Sequence, residues 1–346
     1  MSRFDLDYHI AKLELAQPFT IARGTKKTVP NVIVKLSKND ITGYGEADPN
    51  KRYGEDALKV SDFLKQLPVT FFDDINTARQ LAAKLDERTS LQSAKSAVEM
   101  AWWDWQAKKE DQPLWKRWNL SSNKTPVTSY TIGLDAVEVM QQKVEAAEDY
   151  PILKVKLGTG RDREIITAIR EVTGKAIRVD ANEGWESLDE AKRQITFLAD
   201  QNIELVEQPM PASMSAEMKQ LKRWSPLPLM ADESFKGDED LNEVAQSFHG
   251  INIKLSKMGS LTKAMDVIQQ ARERKLEVMI GCMISSSLAI AAGALLGVQA
   301  DYVDLDGHLL ITSDPFEGLR LDQQKQVILS DRPGLGVSVS SGPDGG

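Results

Sequence analysis

Two lysines flank a single valine in YPILKVKLGTG, residues 150–160, inside a run that otherwise reads as a buried β-strand. Charges recur at the same place in later runs: Asp180 and Asn182 in DAN, Glu207 in EQP, Asp232 and Glu233 in ADES, Lys254 in NIK, and Asp304 and Asp306 in YVDLDG. One such residue alone is commonly a helix cap or a solvated charge. A series of them in register is harder to explain that way. Asp180, Glu207 and Asp232 come from three successive runs, and unpaired carboxylates brought together repel and raise one another's pKa, so a divalent cation is their natural partner. Oxygen ligands without His or Cys point to one Mg²⁺, with Mn²⁺ as the alternative and zinc disfavoured. The histidines, His9, His249 and His308, have no metal-ligand spacing. Lys154 and Lys156 precede the acids and Lys254 follows them. A lysine acts as a base when burial or neighbouring cations lower its pKa. This set suits abstraction of a proton α to a carboxylate, with the enediolate stabilised by the cation and a fixed lysine, and a second base returning the proton on the opposite face.

The elements that must position these residues follow from the spacing. Eight short apolar runs (VTSYTI, PILKVKL, AIRVDAN, IELVEQP, LPLMADE, GINIKLS, LEVMIGC, DYVDLDG) alternate with amphipathic stretches such as DREIITAIREVTG and SLTKAMDVIQQARERK. Their end residues, Thr131, Lys156, Asp180, Glu207, Asp232, Lys254, Gly281 and Asp304, are 22 to 27 residues apart, one βα unit per step. Eight parallel strands with right-handed crossovers close into a barrel whose C-terminal strand ends share one mouth. A doubly wound sheet would carry a GxGxxG after its first strand, and GTGRDRE after Lys156 is not one.

The first third of the chain is organised differently. YHIAKLELA, FTIARG and NVIVKLSKNDITGYGE read as three strand segments of an antiparallel sheet, the last turning at KND. Helical patterns follow from Glu55 to about Trp118, including SLQSAKSAVEMAWWDWQAKK, where Ser90 can cap and Val98, Trp102 and Trp105 share a face. These tryptophans read as core. A polar boundary, NLSSNKTP, comes after Trp118.

Composition narrows the function classes. The 346 residues, 41% of them hydrophobic, suffice for a large core, and the formal charge of −8 leaves no basic stripe for nucleic acid or an anionic membrane. Cys282 is the single cysteine, so neither an intrachain disulfide nor a Cys-based zinc site is available. The N-terminus lacks signal-peptide regions, and the longest apolar run, LAIAAGALLGVQA, is too short to span a bilayer. The expectation is a cytoplasmic protein acting on a small molecule. A homo-oligomer fits the pattern without being specified by it. The terminal SSGPDGG reads as an unstructured tail.

The motifs KVK, DAN, EQP, ADES and NIK resemble those of the muconate-lactonizing subgroup of the enolase superfamily, and SAVEMAWWDWQAKK resembles its helix between cap and barrel. The resemblance implies a modified TIM barrel, (β/α)7β, over residues 119–311, with an α+β capping domain of residues 1–118 completed by a C-terminal return, 312–346. It implies catalytic roles for Lys154, Lys156 and Lys254, metal ligation by Asp180, Glu207 and Asp232, and supporting contacts from Asn182 and Glu233. Asp304 and Asp306 lie two apart on a strand and so point the same way. This D-x-D is similar to that of dipeptide epimerases, where it binds the substrate's free α-ammonium. Arg23 in FTIARGTKK and Arg52 and Tyr53 in NKRYGED resemble cap-loop residues of the L-Ala-D/L-Glu epimerase type, the first arginine meeting the glutamate side chain. Thr131 ends the first barrel strand and faces the same mouth, and IGCMISSS also resembles that type. The resemblance therefore implies Mg²⁺-dependent epimerisation of a dipeptide, with epimerisation of a different dipeptide, o-succinylbenzoate synthesis and N-acylamino acid racemisation as alternatives on the same core. A noncatalytic binding barrel is disfavoured by the intact lysines and carboxylates.

Overall fold

A computed structural model describes residues 3–68, 70–237 and 239–341. Residues 342–346, most of the SSGPDGG tail, lie outside the described residues.

Alternating polar and apolar residues build an antiparallel sheet of β1 (Asp5–Ile21), β2 (Gly24–Lys38) and β3 (Ile41–Ala47), in the order β1-β2-β3. YHIAKLELA and the first three residues of FTIARG belong to the single strand β1, which continues through a register irregularity between Glu14 and Phe19, while Ala22 and Arg23 turn the chain into β2. Asn39 and Asp40 turn β2 into β3 with φ of 52° and 61°, a left-handed pair that Asn and Asp tolerate and tight hairpins require. Against the sheet pack α1 (Ala57–Gln66) and α3 (Gln92–Lys109), with α2 (Ala78–Asp86) on α3 and the short α4 (Leu114–Arg117) following. A Cβ added to Gly45 would lie 1.9 Å from the Ala97 carbonyl oxygen, which is why β3 can press against α3. Val98, Trp102 and Trp105 are buried in this layer, as their spacing predicts. The expected Ser90 cap does not form. Helix α3 starts at Gln92, and the Glu55 carboxylate accepts from the Gln92 and Ser93 N–H groups instead.

After β4 (Lys124–Val127), eight parallel strands line up in chain order. They are β5 (Tyr130–Ile132), β6 (Ile152–Lys156), β7 (Ala176–Asp180), β8 (Ile203–Glu207), β9 (Leu229–Ala231), β10 (Gly250–Ile253), β11 (Glu277–Gly281) and β12 (Tyr302–Asp304). Between them run α5 (Val137–Ala146), α6 (Asp162–Val172), α7 (Leu188–Ala199), α8 (Ser215–Trp224), α9 (Leu241–Ser247), α10 (Leu255–Met258), α11 (Leu261–Glu273) and α12 (Ser287–Gly297). A parallel bridge between Thr128 and Val303 brings the two ends of the sheet together. Only a short 3-10 turn, Gly307–Leu310, follows β12. The result is the modified barrel (β/α)7β with a separate α+β cap.

The chain then returns through β13 (Phe316–Glu317), β14 (Arg320–Leu321), β15 (Gln326–Ile328) and β16 (Ser338–Val339). Strand β15 pairs with β4, while the Leu335 N–H donates to Asp104 of α3. Buried carboxylates of the cap meet helix N-termini of the barrel. Glu46 accepts from the N–H and hydroxyl of Ser286 before α12, and Glu99 accepts from the N–H and hydroxyl of Thr262 in α11. Among the described residues no helix is long and apolar enough to cross a membrane.

Candidate active site

Parallel pairing sets Lys156 beside Asp180 and Asp180 beside Glu207 at the C-terminal strand ends. Alternation then fixes direction. Val155 is fully buried in the core shared with the helices, while Lys154 and Lys156, on the other face of β6, enter the barrel mouth. Lys254 follows β10 directly. The acids thus occupy or follow the three central strands β7, β8 and β9, with lysines on the strands to either side.

Carboxylate oxygens of Asp180, Glu207 and Asp232 lie within 4.8 Å of one another, and all three residues are buried. Glu207 Oε2 is 2.6 Å from Lys154 Nζ but has no hydrogen bond, and Asn182 Oδ1 and Glu233 Oε2 nearby are also buried without partners. A hard divalent cation fits this set of oxygens, and the absence of sulfur or imidazole among them favours Mg²⁺. Lys154 Nζ lies 2.6 Å from Asp304 Oδ2 and 3.4 Å from Asp180 Oδ2; Lys156 Nζ donates to Asp180 Oδ2 at 2.6 Å; Lys254 Nζ donates to Asp232 Oδ2 at 2.8 Å.

Charge proximity decides protonation here. Burial by itself would raise the Asp180 carboxyl, but Lys156 and Lys154 outweigh it and hold it at about 2. Burial likewise opposes the ionised Asp232, yet Lys254 and Lys257 bring it well below the ordinary range. Glu207 goes the other way, raised by burial and by Asp180. The lysines correct a sequence expectation. Burial lowers Lys154 and Lys254, but the carboxylates around them prevail, chiefly Asp304 for the first and Asp232 for the second, and both end raised rather than depressed.

The eighth strand divides its two aspartates. Asp304 is committed to the protein, accepting from Lys154 and from the Ser129 hydroxyl at 2.7 Å. Asp306 accepts from the Thr131 N–H at 2.6 Å and is raised to about 7 by burial and by Asp304. Both line a cavity of about 690 Å³ together with Thr131, Lys154, Lys156, Asn182, Asp232, Glu233 and Lys254. The cap closes this cavity with Arg23, Lys26, Arg52 and Tyr53. Arg23 donates to Glu233 at 2.7 Å and to the Asn182 carbonyl at 2.9 Å, and Arg52 lies 2.5 Å from Glu183. Asn182 and Glu183 take φ of 47° and 69°, a turn that carries these contacts just past Asp180.

Two site residues escape the strand-end pattern. Asn252 Nδ2 donates to Glu207 Oε1 at 2.8 Å, and Lys257 Nζ donates to Asp232 Oδ1 at 2.5 Å. The available signal is the spacing in NIKLSK, which sets Asn252 two residues before Lys254 and Lys257 one helical turn after it.

Residues 7–117 match the N-terminal domain of mandelate racemase/muconate lactonizing enzyme, and residues 135–342 match the enolase C-terminal domain-like family. The chain belongs to the mandelate racemase/muconate lactonizing enzyme family. Within the family it is 38% identical, over 94% of its length and 96% of the relative's, to an L-Ala-D/L-amino acid epimerase of Pedosphaera parvula. It is also 38% identical to an L-Ala-D/L-Glu epimerase of Bacteroides thetaiotaomicron, over 94% of this chain and 85% of that one. A dipeptide epimerase from Cytophaga hutchinsonii, solved with Mg and the dipeptide D-Ala-L-Val, superposes with a TM-score of 0.91 at 26% identity, covering 99% of this chain and 97% of that one.

Proposed function

We propose that this chain is a Mg²⁺-dependent dipeptide epimerase that inverts the α-carbon of the C-terminal residue, with L-Ala-D/L-Glu as the substrate pair. The observation that carries this reading is the placement of Lys156 and Lys254 on opposite sides of the Asp180–Glu207–Asp232 cluster, with Asp306 across the same cavity. Asp180, Glu207 and Asp232 would hold the cation. When bound there, it would supply positive charge to the substrate carboxylate, acidify the adjacent C–H and offset the carboxylate charge that keeps Lys254 protonated. The amine of one lysine takes the α-proton, and the ammonium of the other delivers a proton to the opposite face. Lys154 donates to the enediolate oxygen, its ammonium form secured by Asp304. Asp306 pairs with the dipeptide's α-ammonium, with Thr131 fixing the carboxylate. Arg23, Lys26 and Arg52 on the cap side of the cavity are the groups available to an acidic second residue. Tyr53 lines the same side. Residues 1–118 with the return act as the specificity cap, and residues 119–311 as the catalytic barrel.

The Asp306 contact is tested with the full chain and two substrates. Asp306→Asn should raise KM for L-Ala-L-Glu at least tenfold, since it removes the charge facing a desolvated ammonium, and should leave turnover of N-acetyl-L-Glu unchanged if any is present. An unchanged KM for the dipeptide would instead favour an N-acylamino acid racemase.

A further inference from the structure

Each carboxylate of the cluster has one oxygen tied by a protein donor that is not one of the three mouth lysines. Asp180 Oδ1 accepts from the Asn182 N–H at 2.9 Å, Glu207 Oε1 from Asn252 Nδ2 at 2.8 Å, and Asp232 Oδ1 from Lys257 Nζ at 2.5 Å. The second oxygen of each faces the lysines inside the mouth. The third tie differs from the others because its donor is a full charge.

Lys257 is 3% exposed and is not among the residues lining the cavity. It sits in α10, one turn after Lys254, so the two amines reach opposite oxygens of one carboxylate, Oδ2 at 2.8 Å and Oδ1 at 2.5 Å. Its ammonium also faces three carbonyls: Asp232 at 2.7 Å, Phe235 at 2.9 Å and Asn252 at 3.1 Å. An ammonium has three protons, so four acceptors leave it no donor for a substrate. It therefore cannot serve as a further base or substrate contact. What these bonds do is join the turn after β9 to the end of β10. Gly259 closes α10 at φ 74°, and an added Cβ there would lie 2.1 Å from Gln92 Oε1 of α3, so the cap's long helix presses on the turn that presents Lys257.

We propose that Lys257 is a positioning residue of the cation site. It fixes the Asp232 carboxylate through Oδ1 and the backbone of residues 232–235, so that Oδ2 is presented to the mouth as a single-oxygen ligand. This rests on the reading of Asp180, Glu207 and Asp232 as the cation ligands. Loss of a group that orients a metal ligand typically weakens affinity 10- to 100-fold.

The test is Mn²⁺ titration of the metal-stripped full chain without substrate, following free Mn²⁺ by EPR. The parent chain should bind one ion, Lys257→Met should bind it 10- to 100-fold more weakly, and Lys95→Met, which removes another buried lysine in the cap, should bind it within about twofold of the parent. Lys257→Met binding within threefold of the parent would overturn the inference while leaving the cation reading intact. A parent chain that binds no Mn²⁺ would overturn both. Should Lys257→Met fail to fold, Lys257→Gln supplies the readout through the Mn²⁺-induced rise in Tm. A rise less than half the parent's is expected, and an equal rise overturns the proposal.

Discussion

At the scale of single residues, the chemistry depends on which face of a strand a side chain occupies. Lys154 and Lys156 share the mouth face of β6 because one buried valine separates them. Their counterpart Lys254 follows β10, beyond the three acidic strands. In the proposed reaction, one amine on each side of the α-carbon makes the two substrate configurations depend on different lysines. Lys156→Ala should lower epimerisation at least 10²-fold while leaving solvent exchange of one C-terminal configuration, and Lys254→Ala should leave exchange of the other. Exchange of both configurations retained in either variant, read by NMR with the two diastereomers separately, would exclude that lysine as a base. Asp304 and Asp306 also differ in their tasks: the first is bound to Lys154 and Ser129, the second to a single backbone N–H. Strand alternation alone assigns both to the same face and does not separate them.

At the scale of elements, the site was legible where function follows the βα period, because each strand ends at the mouth. The ties that hold it were not. Glu46 meets Ser286 across 240 residues and Glu99 meets Thr262 across 163, and no local pattern encodes such pairings. In sequence β1 reads as two strands because Pro18 breaks its run, whereas the folded strand absorbs the break as a register irregularity between Glu14 and Phe19. Ser90 is not the cap of α3 because Glu55, distant in sequence, supplies the acceptor. Glu99 carries a testable consequence of such docking. Its carboxylate is fully buried, Oε1 accepts from Thr262 and Trp103, and burial outweighs the hydrogen bonds it accepts and raises its carboxyl above the ordinary 4.5. The folded chain therefore retains a proton that the unfolded chain releases, so this group's contribution to stability falls as pH rises from about 4.5 through the raised value. Glu99→Gln removes that dependence. It should stabilise the protein by roughly 1–2 kcal/mol at pH 8.5, with the gain shrinking toward pH 4.5. Urea midpoints that show an equal effect at both pH values would refute it.

At the scale of the whole molecule, the barrel supplies a charged mouth and the cap supplies a cover with cationic side chains. Neither alone encloses the cavity of about 690 Å³, which is lined by residues from Phe19 to Leu310. The barrel half was readable because its strands repeat with a nearly constant step. The contacts of the cap loops were less so: Arg23 and Arg52 were identifiable as residues over the mouth, but their partners Glu233 and Glu183 follow only from the folded chain. The activity proposed for this cavity is proton exchange at the α-carbon of a dipeptide's C-terminal residue. It is tested most directly by incubating the full chain with Mg²⁺ and L-Ala-L-Glu in D₂O and following the glutamyl α-proton by ¹H NMR. Loss of that signal together with appearance of L-Ala-D-Glu is expected, both abolished by a chelator. An undiminished α-proton signal, with this and every other dipeptide offered, would contradict it.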